Sequence, residues 1–323
     1  TDLQAKRNLY AAPRRLRDWS EPAARGQFVP EANVWSHELD FWGGDLQSLR
    51  SRLDYIVDLG MDVLYLNPIH AALTNHKYDA TDYLQISPEY GTWDDLKALI
   101  DDTHQRGLRL VLDGVFNHVG LASDLYQQAA ADPHSPRRDW FYFDDQFSHG
   151  VRLWANAPNH PELNFENPTV CDYIYAAPDS VVRTYLRAGI DGWRLDTAFE
   201  LGFHYLVELT RAAHAEKPGS LVVGEVWNYP QGWMPAQDAI MNFTLREILL
   251  QTANGRLPGG QAGRMLERMI ADTGIEPLLK SWIMLDNHDT ARLVDTIPDP
   301  ESRRLAQLLQ FTLPVAPNLY YGS

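Results

Sequence analysis

Three acidic residues close three short apolar runs. Asp196 ends "IDGWRLD" (190–196), Glu225 sits in "SLVVGEVW" (220–227), and Asp289 follows "SWIMLDNH" (281–288). Arg194 stands two residues before Asp196. In a strand alternate residues share a face, so Gly192, Arg194 and Asp196 point one way while Trp193 and Leu195 point the other. An arginine beside one aspartate is on its own no more than a structural ion pair. Three strands each delivering a carboxylate to one rim suit the cleavage of a glycosidic bond, whose oxocarbenium-like transition state carboxylates stabilise. One acid must be ionised to attack, and another must hold a proton for the leaving oxygen. Arg194 favours the charged form of Asp196, and Glu225, facing two negative charges, is the group expected to keep a proton.

The elements that must position these residues alternate along the chain. Strand-like runs occur at 61–69, 108–116, 190–196, 220–227, 238–243, 281–286 and 318–322. Helical patterns at 45–60, 92–107, 168–189 and 301–313 lie between some of them, the first two ending at a glycine and the third interrupted by Pro178. Such alternation means a parallel sheet. The expected class is α/β, a (β/α)8 TIM barrel, because no glycine-rich nucleotide loop follows any strand. An eighth strand near the start has one weak candidate, "NLYAAPRRL" (8–16). The stretch after the "LRLVLDGVF" strand is too long and aperiodic for an ordinary connection. The expected organisation is a first barrel part over 1–117, a small excursion domain over 118–167, and a second barrel part over 168–323. The sequence ends at Ser323 right after the last apparent strand, so the barrel is expected to be truncated at its C-terminus and the chain to belong to a longer protein or to be completed by a partner.

Composition narrows the partners. Apolar residues make up 45% and charged residues 22%, the mix of a soluble globular protein. A formal charge of −15 repels phosphate backbones, which argues against nucleic acid and leaves neutral sugars open. No membrane span or leader is expected, and the single Cys171 fits a reducing compartment, so the expectation is cytoplasmic. Ten Trp and fifteen Tyr suit either a large core or a cleft lined by flat rings with polar handles.

Taken together, "DGVFNH" (113–118), "GWRLDTAFE" (192–200), "GEVW" (224–227), "LDNHD" (285–289), "HPELN" (160–164) and "NLYYG" (318–322) resemble the motifs of the α-amylase family, glycoside hydrolase family 13. The stretches 41–69 and 75–100 look most like the cyclomaltodextrinases, neopullulanases and maltogenic amylases of that family. The resemblance implies a retaining hydrolase of α-1,4-glucosidic bonds in maltodextrins, cyclodextrins or pullulan, with some glycosyl transfer. It implies Asp196 as nucleophile, Glu225 as acid/base and Asp289 as a third, sugar-binding carboxylate. It also implies substrate contacts from Tyr78, His118, Arg194, Glu200, Trp227 and His288, Tyr78 stacking beneath the sugar at the cleavage site.

The same site with another acceptor would make a transglycosylase or isomerase of sucrose or maltose. A non-catalytic scaffold would have lost the carboxylates, and a zinc or iron hydrolase would need paired histidines that "NHKYD" and "FNH" lack. The family's calcium loop is poorly matched. Gly43 and Asp45 correspond to two of its ligands and Asn117 to a third position, too few for an ion that takes six to eight oxygens, so no metal and no cofactor are expected. An oligosaccharide is the expected partner, and the subgroup's habits allow an oligomer. The subgroup carries an N-terminal β-domain, which is not expected among the residues ahead of this barrel.

Overall fold

The computed structural model describes residues 3–322. The chain forms two compact units, one running to Asp196 and including Ala212–Ser220, the other made of Thr197–Arg211 and the chain from Leu221 onward. The segment 118–167 lies wholly in the first unit.

In the first unit the strands Val63–Leu66, Arg109–Gly114 and Gly192–Leu195 run parallel and side by side. The register sets Leu64 beside Leu110 and Asp113 beside Arg194. The connecting helix Trp93–Gln105 starts where the sequence places it. Thr92 accepts from the Asp95 amide and Asp95 answers on the Thr92 amide, a reciprocal cap, and the chain turns out at Gly107 with a φ of 75°. Leu96, Leu99, Ile100 and Thr103 form its buried stripe. In the second unit Leu221–Val226, Ala239–Asn242, Trp282–Ile283 and Ala316–Pro317 are again parallel neighbours in chain order. Asn242 caps the helix Phe243–Ala253 through the Leu245 amide, and Asp299 caps Pro300–Thr312 through that of Ser302. Buried Gln310 on the latter helix donates to the carbonyls of Ile283 and Asn318, each at 2.9 Å. Seven parallel strands with helical crossovers are thus formed among the described residues, each beginning within two residues of its expected run. This is the α/β pattern of the (β/α)8 barrel.

Three expectations shift. The helix expected over 45–60 is two pieces, Leu46–Arg50 and Leu53–Asp58. The bonds from Arg52 N to Leu49 O and from Tyr55 N to Arg52 O tighten the chain to three-residue spacing between them. "NLYAAPRRL" supplies only Arg15–Leu16, paired with Asp40–Phe41, because Arg7–Leu9 coils and Pro13 has no N–H for a ladder. The last strand pairs at Ala316–Pro317 rather than over 318–322. The Ala316 and Asn318 amides reach Ser281 O and Ile283 O, and the chain turns away by Gly322 at a φ of 76°. The aperiodic stretch 118–167 contains a helix, Asp124–Ala131, and otherwise pairs through isolated bridges such as Phe141 with Leu163 and Leu153 with Pro161. Ser323, where the sequence suggests a cut barrel, lies outside the described residues.

A buried histidine anchors the aromatic core of the first unit. The His70 ring lies edge-on to Tyr83 and Tyr185 at 5.7 and 5.3 Å and parallel to Trp193. Neither of its nitrogens has a hydrogen-bond partner among the described residues. Burial pushes the imidazole down from 6.5 to about 4. Below pH 6.5 the unfolded chain therefore binds a proton that the folded chain refuses. The stability from this group is fully present above that pH and is lost as the pH falls toward 4, amounting to roughly 3 kcal/mol. His70→Phe should flatten the acid limb of unfolding free energy measured by urea titration. An acid limb unchanged in the variant would assign the loss to other groups.

Candidate active site

In the first unit the strand Gly192–Leu195 carries Arg194 into a fully buried position. A buried guanidinium needs carboxylates at close range. Its Nη1 donates to both carboxylate oxygens of Asp113 at 2.9 Å and to Oδ1 of Asp196 at 3.0 Å. Asp113 Oδ2 also accepts the hydroxyls of Tyr65 at 2.6 Å and Tyr78 at 3.0 Å. Burial, with the neighbouring Asp113 carboxylate, drives the Tyr78 and Tyr65 hydroxyls well above the usual phenol range, so both remain donors. The Tyr78 ring stacks on His76 at 5.7 Å. His118 is buried, lies over Trp154 at 5.3 Å and meets His160 edge-on at 4.7 Å. Burial, joined by His160, holds its imidazole well below the ordinary value, which leaves a neutral ring suited to exchanging hydrogen bonds with hydroxyls.

In the second unit Glu225 is buried on the strand Leu221–Val226. Both of its oxygens accept an N–H: Oε2 from the Thr197 amide at 2.9 Å, Oε1 from the Trp227 indole at 2.8 Å. Thr197 can aim its amide this way from a left-handed conformation with a φ of 42°. Trp227 is half exposed and its ring lies flat on Phe243, centroids 3.7 Å apart. Gly224 leaves room for the Gln237 carboxamide: a Cβ there would lie 2.1 Å from its oxygen and would have to displace that side chain. Asp289 sits in the turn beyond Trp282–Ile283, with its carboxylate 3.1 Å from His288 Nε2 and 3.2 Å from Asn287 Nδ2. Glu200 is exposed in the first turn of the helix Ala198–Leu201.

The sequence motifs therefore assemble as local clusters. Tyr78 and Arg194 meet Asp196's surroundings through Asp113, Trp227 meets Glu225, and His288 meets Asp289. Two of the calcium ligands implied by the resemblance are engaged by a lysine. Gly43 O accepts from the Lys6 ammonium at 3.3 Å and the Asp45 carboxylate is ion-paired with it. The backbone carbonyl of buried Asn117 accepts from the Leu163 amide at 2.9 Å, and its side-chain Nδ2 lies 3.5 Å from His118 Nδ1. Among the described residues no three His, Cys, Asp or Glu side chains converge as a metal would require.

A model of the α-amylase catalytic domain matches residues 13–323. The chain belongs to the α-amylase family. It is 34% identical to neopullulanase 2 of Thermoactinomyces vulgaris over 94% of its own length and 53% of the relative's. It is 34% identical to a cyclomaltodextrinase of a Bacillus species, over 87% of this chain and 52% of that one. The chain spans about half the length of these curated relatives. Among solved structures, the cyclic α-maltosyl-(1→6)-maltose hydrolase of Arthrobacter globiformis in complex with cyclic α-maltosyl-(1→6)-maltose superposes with a TM-score of 0.87 at 29% identity, covering 98% of this chain and 70% of that one.

Sequence reasoning in this α-amylase-family chain missed Asp113. The strand Arg109–Gly114 places Arg109, Val111 and Asp113 on one face by alternation, and an acid at the end of an apolar strand was the available signal. Its partner, Arg194, becomes visible only once the two strands are in register.

Proposed function

We propose that this chain is the catalytic part of a retaining glycoside hydrolase that cleaves α-1,4-glucosidic bonds in maltodextrins, cyclodextrins or pullulan, with transfer to sugar acceptors as a secondary outcome. The observation that carries the proposal is how the two principal carboxylates are held. Asp196 shares a buried guanidinium with Asp113, which supplies positive charge without a proton to give up. Glu225 is oriented by N–H groups on both oxygens, which fix the plane of the carboxyl from which a proton would be given. Asp196 and Thr197 are consecutive, so the residue after the proposed nucleophile is the one that hydrogen-bonds the proposed acid.

In the reaction Asp196 attacks the anomeric carbon while Glu225 gives its proton to the departing glycosidic oxygen. A glycosyl ester on Asp196 results. Water, losing its proton to Glu225, then attacks the same carbon and frees Asp196. Two displacements restore the starting anomer. Asp289, together with His288 and His118, is assigned to the sugar hydroxyls, Tyr78 to the ring of the sugar being cleaved, and Trp227 and Glu200 to the acceptor side. The names of the similar proteins, neopullulanase and cyclomaltodextrinase, support this substrate class.

Incubation of the protein with β-cyclodextrin, pullulan, soluble starch and sucrose, followed by chromatography and proton NMR of the first products, tests the proposal. Cyclodextrin and pullulan should yield short maltosaccharides or panose with the α-anomer formed first. Isomerisation or transfer from sucrose and maltose with cyclodextrin untouched would instead favour the small-glucoside transferase, and β-anomeric first products would overturn retention.

A further inference from the structure

The oxygens that would serve a cation beside Asp45 already face one. Lys6, at the end of the helix Leu3–Lys6, reaches across the sequence to three acceptors: the carbonyl of Gly43 at 3.3 Å, the carbonyl of Glu89 at 2.9 Å, and Oδ2 of Asp45 in an ion pair. An ammonium has three donors and no acceptor, so three oxygens saturate it. Lys6 and Asp45 are largely enclosed, with 15% and 13% of their side chains accessible. The other Asp45 oxygen is committed to the amide and hydroxyl of Ser48, each at 2.6 Å, where it caps the helix Leu46–Arg50. Burial opposes ionisation of Asp45, but Lys6 and Ser48 outweigh it and hold the carboxyl below the usual range. A divalent ion bound to Gly43 O and Asp45 would have to expel this ammonium and then find several further oxygens.

We propose that the Lys6 ammonium is a built-in cation that takes the place of a metal ion in joining the Gly43–Asp45 loop to the Glu89 turn, and so holds the Tyr78 loop in position. The linkage to Tyr78 is a chain of contacts. The Glu89 carboxylate accepts from Arg14 at 3.0 Å and pairs with fully buried Lys77, and Lys77 immediately precedes Tyr78, whose hydroxyl reaches Asp113. Lys77 holds a left-handed backbone with a φ of 66°, a conformation that a non-glycine residue keeps only when its surroundings fix it. Lys6 is thus a positioning residue for the substrate-binding loop.

Three measurements on the purified protein test this, and the two on stability and metal content read out whatever the substrate proves to be. Elemental analysis should find calcium far below one equivalent, and the thermal midpoint should be the same in excess EGTA as in millimolar calcium. Lys6→Met, which keeps the stem and removes the charge, should lower that midpoint by roughly 3–6 °C. If the proposed substrates are turned over, Lys6→Met should raise KM severalfold with kcat little changed, whereas Lys6→Arg should recover part of the loss. A stoichiometric calcium ion, a fall of the wild-type midpoint in EGTA, or a Lys6→Met midpoint equal to wild type would each overturn the proposal. The EGTA arm decides it even if no variant folds.

Discussion

Asp196→Asn should lower turnover of maltodextrins by on the order of 10⁴-fold or more, about 5.5 kcal/mol in the barrier, and leave the fold in place. The amide is a poor nucleophile and cannot form the glycosyl ester, so the loss falls on kcat. The fold survives for a reason specific to this cluster. Arg194 is buried and would be dangerous to leave unpaired, but Asp113 accepts from the same Nη1 with both of its oxygens. The asparagine side chain is isosteric with the aspartate it replaces, and its carbonyl oxygen can still accept from Arg194. The expected change in stability is therefore no more than about 1–2 kcal/mol. Steady-state kinetics and a thermal melt of the same sample measure the two quantities. Turnover within tenfold of wild type would remove Asp196 from the nucleophile's role.

Glu225→Gln should separate substrates by their leaving groups. Loss of a general acid costs about 10²–10⁴-fold where the departing sugar oxygen needs a proton. An α-glucosyl fluoride or an aryl glucoside with an acidic phenol does not need one, and its first step should fall by less than about tenfold. The geometry adds a second consequence. Both Glu225 oxygens accept N–H groups, one from Thr197 and one from the Trp227 indole. A carboxamide has a single oxygen, so its NH2 must face one of those donors, and the half-exposed Trp227 is the freer of the two to move. A change in tryptophan emission should accompany the kinetic change. Equal losses on activated and unactivated donors would argue against Glu225 as the acid.

Local chemistry was legible in the sequence, and long-range pairing was not. The helical pattern over 92–107 with its terminal glycine announced the helix Trp93–Gln105, and Pro178 announced the interruption before Val181–Ala188. Arg194 and Asp196 were legible as a pair because two-residue spacing fixes them on one side of a strand. Asp113 was hidden because it owes its importance to Arg194, 81 positions away, and to Tyr65 and Tyr78 on other segments. The same holds for Lys6, whose three acceptors lie 37 or more positions downstream. Within 118–167 the antiparallel bridges are isolated, so no hydrophobic period could mark them. Trp227 illustrates the converse. Its two-residue spacing from Glu225 was in plain view, but that its indole N–H would hold the carboxylate depends on the Phe243 ring beneath it.

Thr197 leaves a mark on how this protein can change over generations. A β-branched residue at a φ of 42° and ψ of 41° costs about 1–2 kcal/mol that glycine or asparagine would spare. Selection for heat resistance alone would find a glycine readily, and its backbone freedom would loosen the Thr197 amide that Glu225 accepts. Robustness and catalytic competence therefore pull in opposite directions at a single codon, and lineages hardened against temperature should have gained their margin elsewhere in the chain.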